Sequence, residues 1–418
     1  MHFSLRDCAA GLIGNLLEHY DTALFGLLAP FIAPLFFENL EPLTALILTY
    51  SMLPLGLLVR PLGSICFGRI GDSFGRKRAL IYSLMGMAIV TIGIGCLPVY
   101  KDIGLWAPIL LACGRLLQSF CAAGEIAGGA IFVLEHTTIA RRGFSSSLYD
   151  ASSIGGILIA SGLVTFISSQ GNTQQDWRIL FWIGGITALL GLYLRIFCKD
   201  GREFTQTAKQ PDASLLQILK LNKRAVIGIV LASGFSYATY SLAFTLMNGY
   251  IPLITNVSKT QVLQMNTLLL CADLLLLPCF GYIAYKFGKE RIMMGGALCS
   301  AIAAVPLFYL LENASLSLVL IVRLLIVLFG VAFAAPYHAW AIEQVAPQHR
   351  YLVLSFGCAL GSLLIGTPTS PFCLWLYHTF GLSYAPGLYL MAAGIAASLV
   401  VYRLAPKSET AASTSIQI

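Results

Sequence analysis

The sequence has little charge for its length. Only 11% of its 418 residues are Asp, Glu, Lys or Arg, whereas 57% are hydrophobic. Soluble domains carry roughly 25% charged residues, and so apolar a chain of this length cannot cover its surface with groups that water solvates. We infer that most of the chain lies in a lipid bilayer.

Sequence motifs of catalysis are missing as well. There is no Gly-x-x-x-x-Gly-Lys-Ser/Thr loop for a nucleotide phosphate and no Gly-x-Ser-x-Gly turn, and the histidines lack metal-ligand spacing. The cysteines form no Cys-x-x-Cys pair, which argues against a thiolate metal site. We predict no enzyme activity, no cofactor, no metal and no ATP-driven transport by this chain alone.

Long apolar runs fill the chain instead. A membrane-spanning helix takes roughly 20 mostly apolar residues, and twelve such runs lie between Cys8 and Leu404. The sequence therefore predicts an all-α membrane protein with twelve transmembrane helices. Its longest polar interruption follows the sixth run, which divides the chain into an N-terminal six-helix bundle (1–198), a linker (199–223), a C-terminal six-helix bundle (224–405) and a short tail (406–418).

The basic residues indicate orientation rather than a nucleic-acid partner. If the N-terminus is cytoplasmic, twenty of the 26 Lys and Arg residues fall on the cytoplasmic side. Lys101, Arg178 and Lys259 fall on the opposite side, and the rest lie within predicted spans. This asymmetry follows the positive-inside rule and predicts that both termini are cytoplasmic.

The two halves contain a repeated loop. Gly68–Arg78, after the second run, aligns with Gly281–Arg291, after the eighth, and five of the eleven positions are identical. Two repeated six-helix halves around a polar site near the midplane are typical of secondary transporters.

The first copy of this loop, with Gly71, Asp72, Gly75, Arg76 and Lys77, resembles the helix 2 to helix 3 signature of the major facilitator superfamily. Further segments resemble its metabolite:proton symporter family, which includes proline/betaine, 2-oxoglutarate, citrate and shikimate carriers. They are Gly14–Asp21, Arg60–Gly63, Gly114–Gln118 with Gly124–Glu125, and Trp177–Ile179.

The resemblance implies two six-helix bundles in the bacterial inner membrane, acting as a monomer on a small molecule and protons. It is stronger in the first half than in the second. His19, Ser119, Ala123 and Tyr285 depart from the family pattern, and Tyr285 leaves the second loop without its usual acid. A coiled-coil tail of the kind found in osmosensory members is also missing, so osmosensing is not expected.

Acidic residues inside predicted spans are candidates for proton coupling, because a charge near the bilayer centre costs at least about 2.5 kcal/mol. Glu18 and Asp21 are three residues apart in the first helix and are expected to share a face. Glu125 lies at a comparable depth in the fourth helix. Asp150 and Asp273 are further intramembrane acids, for which structural pairing with an arginine is the favoured interpretation.

Two intramembrane arginines are candidates for binding a carboxylate. Arg60 and Arg115 keep their charge, so each needs an acidic neighbour or an anionic ligand. Gln118 continues the helical stripe that starts at Arg115 and is predicted to line the same cavity. Arg323 lies early in its span, and we expect its side chain to snorkel towards the outer surface.

A group of residues at the predicted cytoplasmic mouth is expected to form a gate that opens and closes the transport path. An Asp at a helix terminus can accept backbone N–H bonds, and basic residues can pair with acids at neighbouring helix ends. The alternative is that these charges serve only to orient the protein. The predicted gate comprises Gly71, Asp72, Gly75, Arg76, Lys77, Glu135 and Arg142.

Aromatic residues of the seventh helix, Tyr237 and Tyr240, are candidates for contacting a cationic head group. His19 and His338 are expected to have structural roles.

The sequence thus predicts a proton-coupled symporter of a small carboxylate-bearing metabolite, either a proline-like or betaine-like zwitterion or an organic acid. An uncoupled facilitator and a transporter-like sensor are alternatives.

Overall fold

The computed structural model describes residues 5–169, 173–198 and 214–405, and almost all of them are helical. We call residues 5–198 the N-terminal half and residues 214–405 the C-terminal half. The helices of the N-terminal half are α1 (Leu5–Phe36), α2 (Pro42–Phe74), α3 (Arg76–Gly95), α4 (Tyr100–Ile103), α5 (Trp106–Glu135), α6 (Arg142–Ser169) and α7 (Thr173–Ile196). Those of the C-terminal half are α8 (Leu215–Leu221), α9 (Lys223–Tyr240), α10 (Met247–Ile254), α11 (Lys259–Phe287), α12 (Lys289–Tyr309), α13 (Leu316–Ala334), α14 (Tyr337–Glu343), α15 (Arg350–Gly361), α16 (Thr369–Phe380) and α17 (Ala385–Leu404).

The predicted all-α membrane class is confirmed. Within the described ranges, eleven helical segments are long and apolar enough to cross a membrane. Helix α1 is not among them, because Glu18, His19 and Asp21 lower its mean hydropathy. It nevertheless packs against α5, α6 and α7 inside the N-terminal half.

The chain is arranged with its apolar side chains outward. Leu58, Leu275 and Ile302 are among the large hydrophobic residues left exposed, whereas Asp21 and Arg323 are buried. Lipid solvates an apolar exterior at no cost, while intramembrane charge has to be paired or kept inside the bundle. The polar interior is therefore where a functional site is to be sought.

The repeated loop has the same backbone conformation in both copies. Gly75 between α2 and α3 has φ 110°, and its equivalent Gly288 between α11 and α12 has φ 93°. Side chains other than glycine rarely adopt this region, so both turns depend on glycine. The ion pairs repeat too, since Arg76 lies 3.5 Å from Glu135 and Lys289 lies 2.7 Å from Glu343.

The two halves contact each other along two seams. Helix α15 packs against α2 and α5, and α11 packs against α6. Glycines bring the second seam close, since a Cβ on Gly281 of α11 would lie 2.0 Å from the Ser147 hydroxyl of α6. The seams join the parts of the chain that would have to separate in any opening between the halves.

Two helices of the C-terminal half are interrupted by π-helical turns. Ser241–Leu246 joins α9 to α10, and Ser362–Gly366 lies between α15 and α16. The Ser241 and Ser370 hydroxyls are 2.8 Å apart and link the two interrupted helices. Such π turns are frequent at functional sites because they shift the helix register and free carbonyl groups.

Parts of the predicted linker and tail lie outside the described residues. Of the linker (199–223), the structure describes the stretch from residue 214, which includes α8. The predicted tail (406–418) falls entirely outside the described ranges.

Candidate functional site

Asp21 of α1 lies at the centre of a buried polar cluster. Its Oδ2 accepts hydrogen bonds from the hydroxyl of Thr91 at 2.7 Å and from Nε2 of Gln118 at 3.3 Å. Its Oδ1 has no hydrogen-bond partner among the described residues. A Cβ on Gly184 would come within 2.6 Å of that oxygen, so the glycine keeps space beside it. Asp21 therefore has one oxygen fixed by two donors and one buried oxygen without a hydrogen-bond partner, which we call its open oxygen. An oxygen without a donor suits a carboxylate that takes up and releases a proton.

Arg115 of α5 is connected to this cluster through Gln118. The guanidinium donates to Gln118 Oε1 and lies over the ring of Phe25, 4.2 Å from the ring centroid. In the described part of the chain no carboxylate lies within ion-pair distance of Arg115. The charges of Arg115 and Asp21 thus interact through an intervening amide rather than by direct contact. The stripe on α5 predicted that Gln118 and Arg115 lie together, but it did not predict the contact of Gln118 with Asp21.

Glu18 belongs to a second cluster. Its Oε1 lies 3.4 Å from Arg60 of α2 and accepts a hydrogen bond from Thr22 at 3.2 Å, while its Oε2 lies 2.7 Å from His19 Nδ1. The sequence predicted that Glu18 and Asp21 share a face. A three-residue step leaves them about 60° apart around the helix, which is one face, but on that face the two carboxylates have separate partners.

Arg60 lies at a small cavity between the two halves. The cavity measures about 10 Å³, which is room for about one water molecule. A metabolite therefore fits only if the halves move apart. Its lining residues are Arg60, Ser64, Ala123, Ile126, Ala127, Tyr237, Ser355, Cys358, Ala359 and Ser362.

The two candidate tyrosines of the seventh predicted span differ in position. Tyr237 lines the cavity beside Arg60. Tyr240 is 36% exposed, and its ring lies 4.8 Å from the ring of Phe244. Only Tyr237 is therefore part of the cavity wall in this conformation, while Tyr240 presents a ring one turn further along the interrupted helix.

Glu125 is committed to an ion pair that the sequence did not predict. Arg195 of α7 forms a two-pronged contact with it, with Nη2 at 2.7 Å from Oε2, and Ser83 donates to Oε1 at 2.9 Å. The charge pattern assigned Arg195 to the cytoplasmic surface, but its side chain is only 1% exposed. Gly14 leaves room for the pair, because a Cβ there would lie 1.9 Å from Arg195 Nη2.

Three further titratable residues meet at the seam between α6 and α11. His338 Nε2 of α14 lies 3.1 Å from Asp150 Oδ1 of α6, so the contact joins the two halves. Asp273 of α11 is buried within electrostatic range of Asp150. The sequence favoured pairing with arginine for both acids. Among the described residues neither has an arginine partner, so that prediction is wrong.

Arg323 of α13 is fully buried, so the prediction that it snorkels to the surface is wrong. It donates to the carbonyl groups of Val262 at 3.2 Å and Ala243 at 2.9 Å, and also to Asn266 Oδ1. Ala243 belongs to the π-helical turn Ser241–Leu246. The guanidinium satisfies a carbonyl there, which explains why the charge is retained inside the bundle.

Asp72 connects the loop after α2 to the start of α15. Its two carboxylate oxygens accept the backbone N–H groups of Tyr351 at 3.1 Å and Leu352 at 2.9 Å. The first N–H groups of a helix lack internal partners and carry the positive end of the helix dipole. A carboxylate from the N-terminal half therefore caps a helix of the C-terminal half.

Arg76 and Glu135 extend this contact into a network. Arg76 donates to Asp72 at 2.5 Å and to the Pro347 carbonyl at 2.5 Å, and its Nε lies 3.5 Å from Glu135 Oε2. Glu135 Oε1 also lies 3.0 Å from Arg350 Nη1. Buried charges from both halves thus neutralise one another across the seam.

Tyr351 fills a notch lined by glycines. A Cβ on Gly71 would lie 2.3 Å from its ring, and one on Gly128 would lie 1.9 Å from its hydroxyl oxygen. The hydroxyl donates to the carbonyl of Gly124. Sequence reasoning included Gly71 in the gate but missed Tyr351, because an aromatic residue near a helix start carries no pattern of its own.

Two other predicted gate residues make contacts within the N-terminal half. Lys77 donates to the Ile196 carbonyl at 2.6 Å, and Arg142 donates to the Leu134 carbonyl at 3.2 Å. Gly75 provides the turn that directs the chain from α2 into α3.

A metal centre has no candidate ligands within the described ranges, where no group of three or more His, Cys, Asp or Glu residues converges. The polar residues of the interior are instead suited to hold protons and a small organic ion. Their arrangement contains a carboxylate with an open oxygen, an arginine at a cavity and an ion-pair network across the seam.

Comparison with known families gives matches over almost the whole chain. Residues 8–214 match the family described as Sugar (and other) transporter, and residues 229–417 match the Major Facilitator Superfamily. The division between the two matches falls in the region of the predicted linker.

Similar proteins include two bacterial transporters. The chain is 29% identical over 407 residues to the glycine betaine/proline/ectoine/pipecolic acid transporter OusA of Dickeya dadantii, covering 92% of this chain and 80% of that one. It is 28% identical over 411 residues to the proline/betaine transporter of Escherichia coli K12, covering 93% and 81%.

Solved structures of two E. coli sugar transporters share the fold. A double Trp mutant of the xylose transporter XylE superposes with a TM-score of 0.79 at 17% identity, covering 96% of this chain and 95% of that one. The fucose:proton symporter FucP gives a TM-score of 0.75 at 13% identity, covering 97% and 100%.

Proposed function

The chain belongs to the major facilitator superfamily, and from this premise we propose that it is a proton-coupled symporter of a small carboxylate-bearing solute. It alternates between states open to either side of the bacterial inner membrane. The observation that carries this proposal is Asp21, a buried carboxylate with one open oxygen, in the same half as the cavity-lining Arg60. A proton and a substrate carboxylate each have a candidate site there.

The topology that we propose has twelve spans. Helix α1 adds the twelfth to the eleven segments recognised by length and composition. Its 32 residues extend about 48 Å at 1.5 Å per residue, enough to cross a hydrocarbon core of about 30 Å. An even number of spans puts both termini on one side, and the basic residues favour the cytoplasm. The two bundles are 1–198 and 224–405, and the protein acts as a monomer.

Asp21 is our candidate for the coupling proton. Thr91 and Gln118 hold one of its oxygens, and Gln118 also accepts a hydrogen bond from Arg115. Movement of α5 relative to α1 would displace Gln118 and Arg115 together. Such a movement would change the proton affinity of Asp21 between the two states, which is what coupling requires.

Glu18 and Glu125 are the other two proton candidates from the sequence, and both have strong cationic neighbours. Glu125 holds Arg195 with both oxygens, so its protonation would leave that buried arginine without a counter-ion. Glu18 is shared between Arg60 and His19. We assign Glu125 a structural role and Glu18 the role of holding Arg60 until a substrate carboxylate replaces it.

The contacts of Asp72, Arg76 and Glu135 with the C-terminal half support a cytoplasmic gate that is closed in this conformation. Every one of these contacts has to break if the cytoplasmic ends separate. Binding of substrate and proton in the interior would lower the cost of that separation by stabilising an occluded intermediate.

Glycine betaine and proline are the substrates that we favour, because both compounds appear in the names of similar transporters. Both are zwitterions with one carboxylate for Arg60. An organic acid such as 2-oxoglutarate is the alternative that the sequence also allowed.

Uptake by reconstituted protein tests the proposal. Proteoliposomes loaded at pH 7.5 are assayed for uptake of labelled betaine and proline from medium at pH 7.5 and at pH 6. We expect accumulation above equilibrium only with the inward proton gradient, and its loss when a protonophore is added. Equilibration at the same level under both conditions would identify an uncoupled facilitator. Saturable binding without flux would identify a sensor, for which the Tyr285 departure is the argument.

A further inference from the structure

Two acids lie on neighbouring helices where the halves meet, Asp150 on α6 and Asp273 on α11. Gly281 of α11 lies against Ser147 of α6, and Gly143 of α6 lies against Ala284 of α11. These small residues bring the helices together and leave Asp150 of α6 within electrostatic range of Asp273 of α11. The two acids are thus held near each other, Asp273 buried and Asp150 with a partly exposed side chain.

Asp273 is the more unusual of the two acids. It is 5% exposed, and within the described ranges no hydrogen bond or ion pair satisfies its carboxylate. A buried carboxylate is stable only when it is paired, protonated or bound to a cation. The nearby charged group is another carboxylate, which makes the ionised form still less favourable.

His338 does not compensate both acids. Its Nε2 contacts Asp150 at 3.1 Å, and its Nδ1 has no hydrogen-bond partner although the residue is only 8% exposed. The rings of Tyr149 and Tyr337 flank it at centroid distances of 5.4 and 5.0 Å. His338 Nδ1 is therefore a buried polar atom without a hydrogen-bond partner, independent of the acids.

Aromatic rings connect this cluster to the cavity. Tyr240 is within electrostatic range of Asp273, and Tyr237 is within range of both Asp150 and Arg60. Acids beside aromatic rings are the common protein environment for an organic cation, including quaternary ammonium groups. Arg60 lies on the N-terminal wall of the same cavity.

We propose that Asp150 and Asp273 form the subsite for the positively charged nitrogen of the substrate, with Tyr237 and Tyr240 beside it and Arg60 at the carboxylate end. This inference rests on the proposed function and narrows it. A zwitterion complements both ends of the site, whereas a dicarboxylate such as 2-oxoglutarate would place an anion against two acids. The C-terminal half then contributes to substrate specificity.

The sharpest test compares glycine betaine with 3,3-dimethylbutyrate, its isostere with a neutral carbon in place of the nitrogen. Binding of both is measured by isothermal titration calorimetry on the purified full-length protein. We expect wild type to prefer betaine. Asp273→Asn should weaken betaine binding by roughly 30-fold or more, as for one partner of a buried charge pair, and Asp150→Asn by less, because the Asp150 side chain is partly exposed. Affinity for the isostere stays the same or improves.

The matched control is Asp102→Asn, which removes an exposed carboxylate of α4 and leaves the betaine preference unchanged. Unaltered betaine affinity in both acid variants would overturn the proposal. It would also be overturned if Asp273→Asn abolished gradient-driven uptake at unchanged affinity, since Asp273 would then serve the proton.

A third variant leaves both acids in place, so that the subsite can be tested even if the aspartate variants misfold. Tyr240→Leu removes the ring, and we expect it to weaken betaine binding about tenfold, within the range for a desolvated cation–π contact, with no change for the isostere. Tyr402→Leu, on an exposed ring of α17, is its control. Equal losses for both ligands would refute the cationic subsite.

Choline, which has the cation and no carboxylate, separates this inference from the proposed function. If wild type binds neither betaine nor proline, the proposed substrate class fails. Choline binding that disappears in Asp273→Asn would then still support the acid pair, whereas absence of choline binding as well would overturn both.

Discussion

The hydroxyl of Tyr351 donates to the carbonyl of Gly124 at 2.6 Å, and this bond joins the first turn of α15 to the middle of α5. The Tyr351 ring is fully buried against Gly71 and Gly128. A side chain of the C-terminal half is thus inserted into the N-terminal half beside the Asp72 network. We infer that Tyr351 helps to hold the cytoplasmic side closed.

Tyr351→Phe is expected to shift the protein towards an open cytoplasmic side. The change keeps the ring but removes one hydrogen bond, which contributes about 1 kcal/mol, so the population ratio changes about fivefold. Spin labels on cysteines introduced at Phe74 and Phe287, in a cysteine-free background, report the distance between the cytoplasmic ends by pulsed electron resonance.

Gly71→Ala should also shift the protein towards an open cytoplasmic side, and by more than Tyr351→Phe, because the added Cβ would overlap the Tyr351 ring. Gly93→Ala is the matched control, since a Cβ there meets nothing within 4 Å. An unchanged distance distribution in both Tyr351→Phe and Gly71→Ala would show that the notch does not govern closure.

Asp21→Asn is expected to uncouple transport. An amide cannot take up the proton, so accumulation driven by a pH gradient should fall to background while exchange of labelled for unlabelled substrate continues. Wild-type uptake should rise as the outside pH falls, and uptake by the variant should not depend on pH. Both assays use proteoliposomes, with Asp102→Asn as control. Accumulation by the variant in response to the gradient would remove Asp21 from the proton path.

Arg60 and Arg115 should respond differently to replacement by lysine. Arg60 lines the cavity, whereas Arg115 lies outside its lining, is held by Gln118 and is covered by Phe25. Lysine replaces a flat two-pronged donor with a point charge. We expect Arg60→Lys to weaken substrate binding by about tenfold, or about 1.4 kcal/mol, and Arg115→Lys to alter mainly the pH dependence of uptake. A larger binding loss in Arg115→Lys would reverse this assignment.

Glu125→Gln is expected to destabilise the protein rather than to uncouple it. Breaking a buried ion pair by removing one partner costs about 3–5 kcal/mol, here by leaving Arg195 without its carboxylate. The midpoint of thermal unfolding in detergent should fall by several degrees. The double variant Glu125→Gln with Arg195→Met should recover most of this loss, since it leaves no unpaired charge. Normal stability with lost coupling would instead make Glu125 a proton carrier.

The sequence predicted the large-scale features because they depend on local patterns. Apolar runs define helices in lipid whatever their neighbours are, and the Gly75 and Gly288 turns need glycine for reasons of backbone geometry alone. Gln118 was placed beside Arg115 because helical spacing fixes which residues on one helix meet. These inferences require no knowledge of how the helices pack.

Pairings between helices were not predictable in this way. Arg195 is the next-to-last residue of α7, so its charge pattern was that of a surface residue, yet packing of α7 on α1 and α3 buries it with Glu125. Arg323 has the sequence context of a snorkelling residue, and only the π turn Ser241–Leu246 reveals what its charge binds. Asp150 and Asp273 lie 123 positions apart, and their proximity depends on the packing of α6 on α11.

The repeat itself offers the last prediction, because its two copies differ at the position of Asp72. Asp72 caps the start of α15, whereas the equivalent residue in the second copy, Tyr285, has no carboxylate to offer to the start of α6. The backbone there is close, since the Tyr285 nitrogen lies 4.0 Å from the Cβ position of Gly143. Tyr285→Asp should therefore provide the missing cap for the N–H groups of Gly143 and Phe144.

A second cap would stabilise the closed cytoplasmic side by about 1 kcal/mol, the upper range for a charge at an exposed helix terminus. Because that side must open in every cycle, we expect Tyr285→Asp to slow turnover several-fold at saturating substrate and to shorten the distance between labels at Phe74 and Phe287. High salt should reduce the effect, since the site is near solvent. Tyr285→Asn, which supplies an acceptor without charge, should give a smaller change. If the aspartate variant turned over at the wild-type rate with an unchanged label distance, the asymmetry of the two loops would have no bearing on gating.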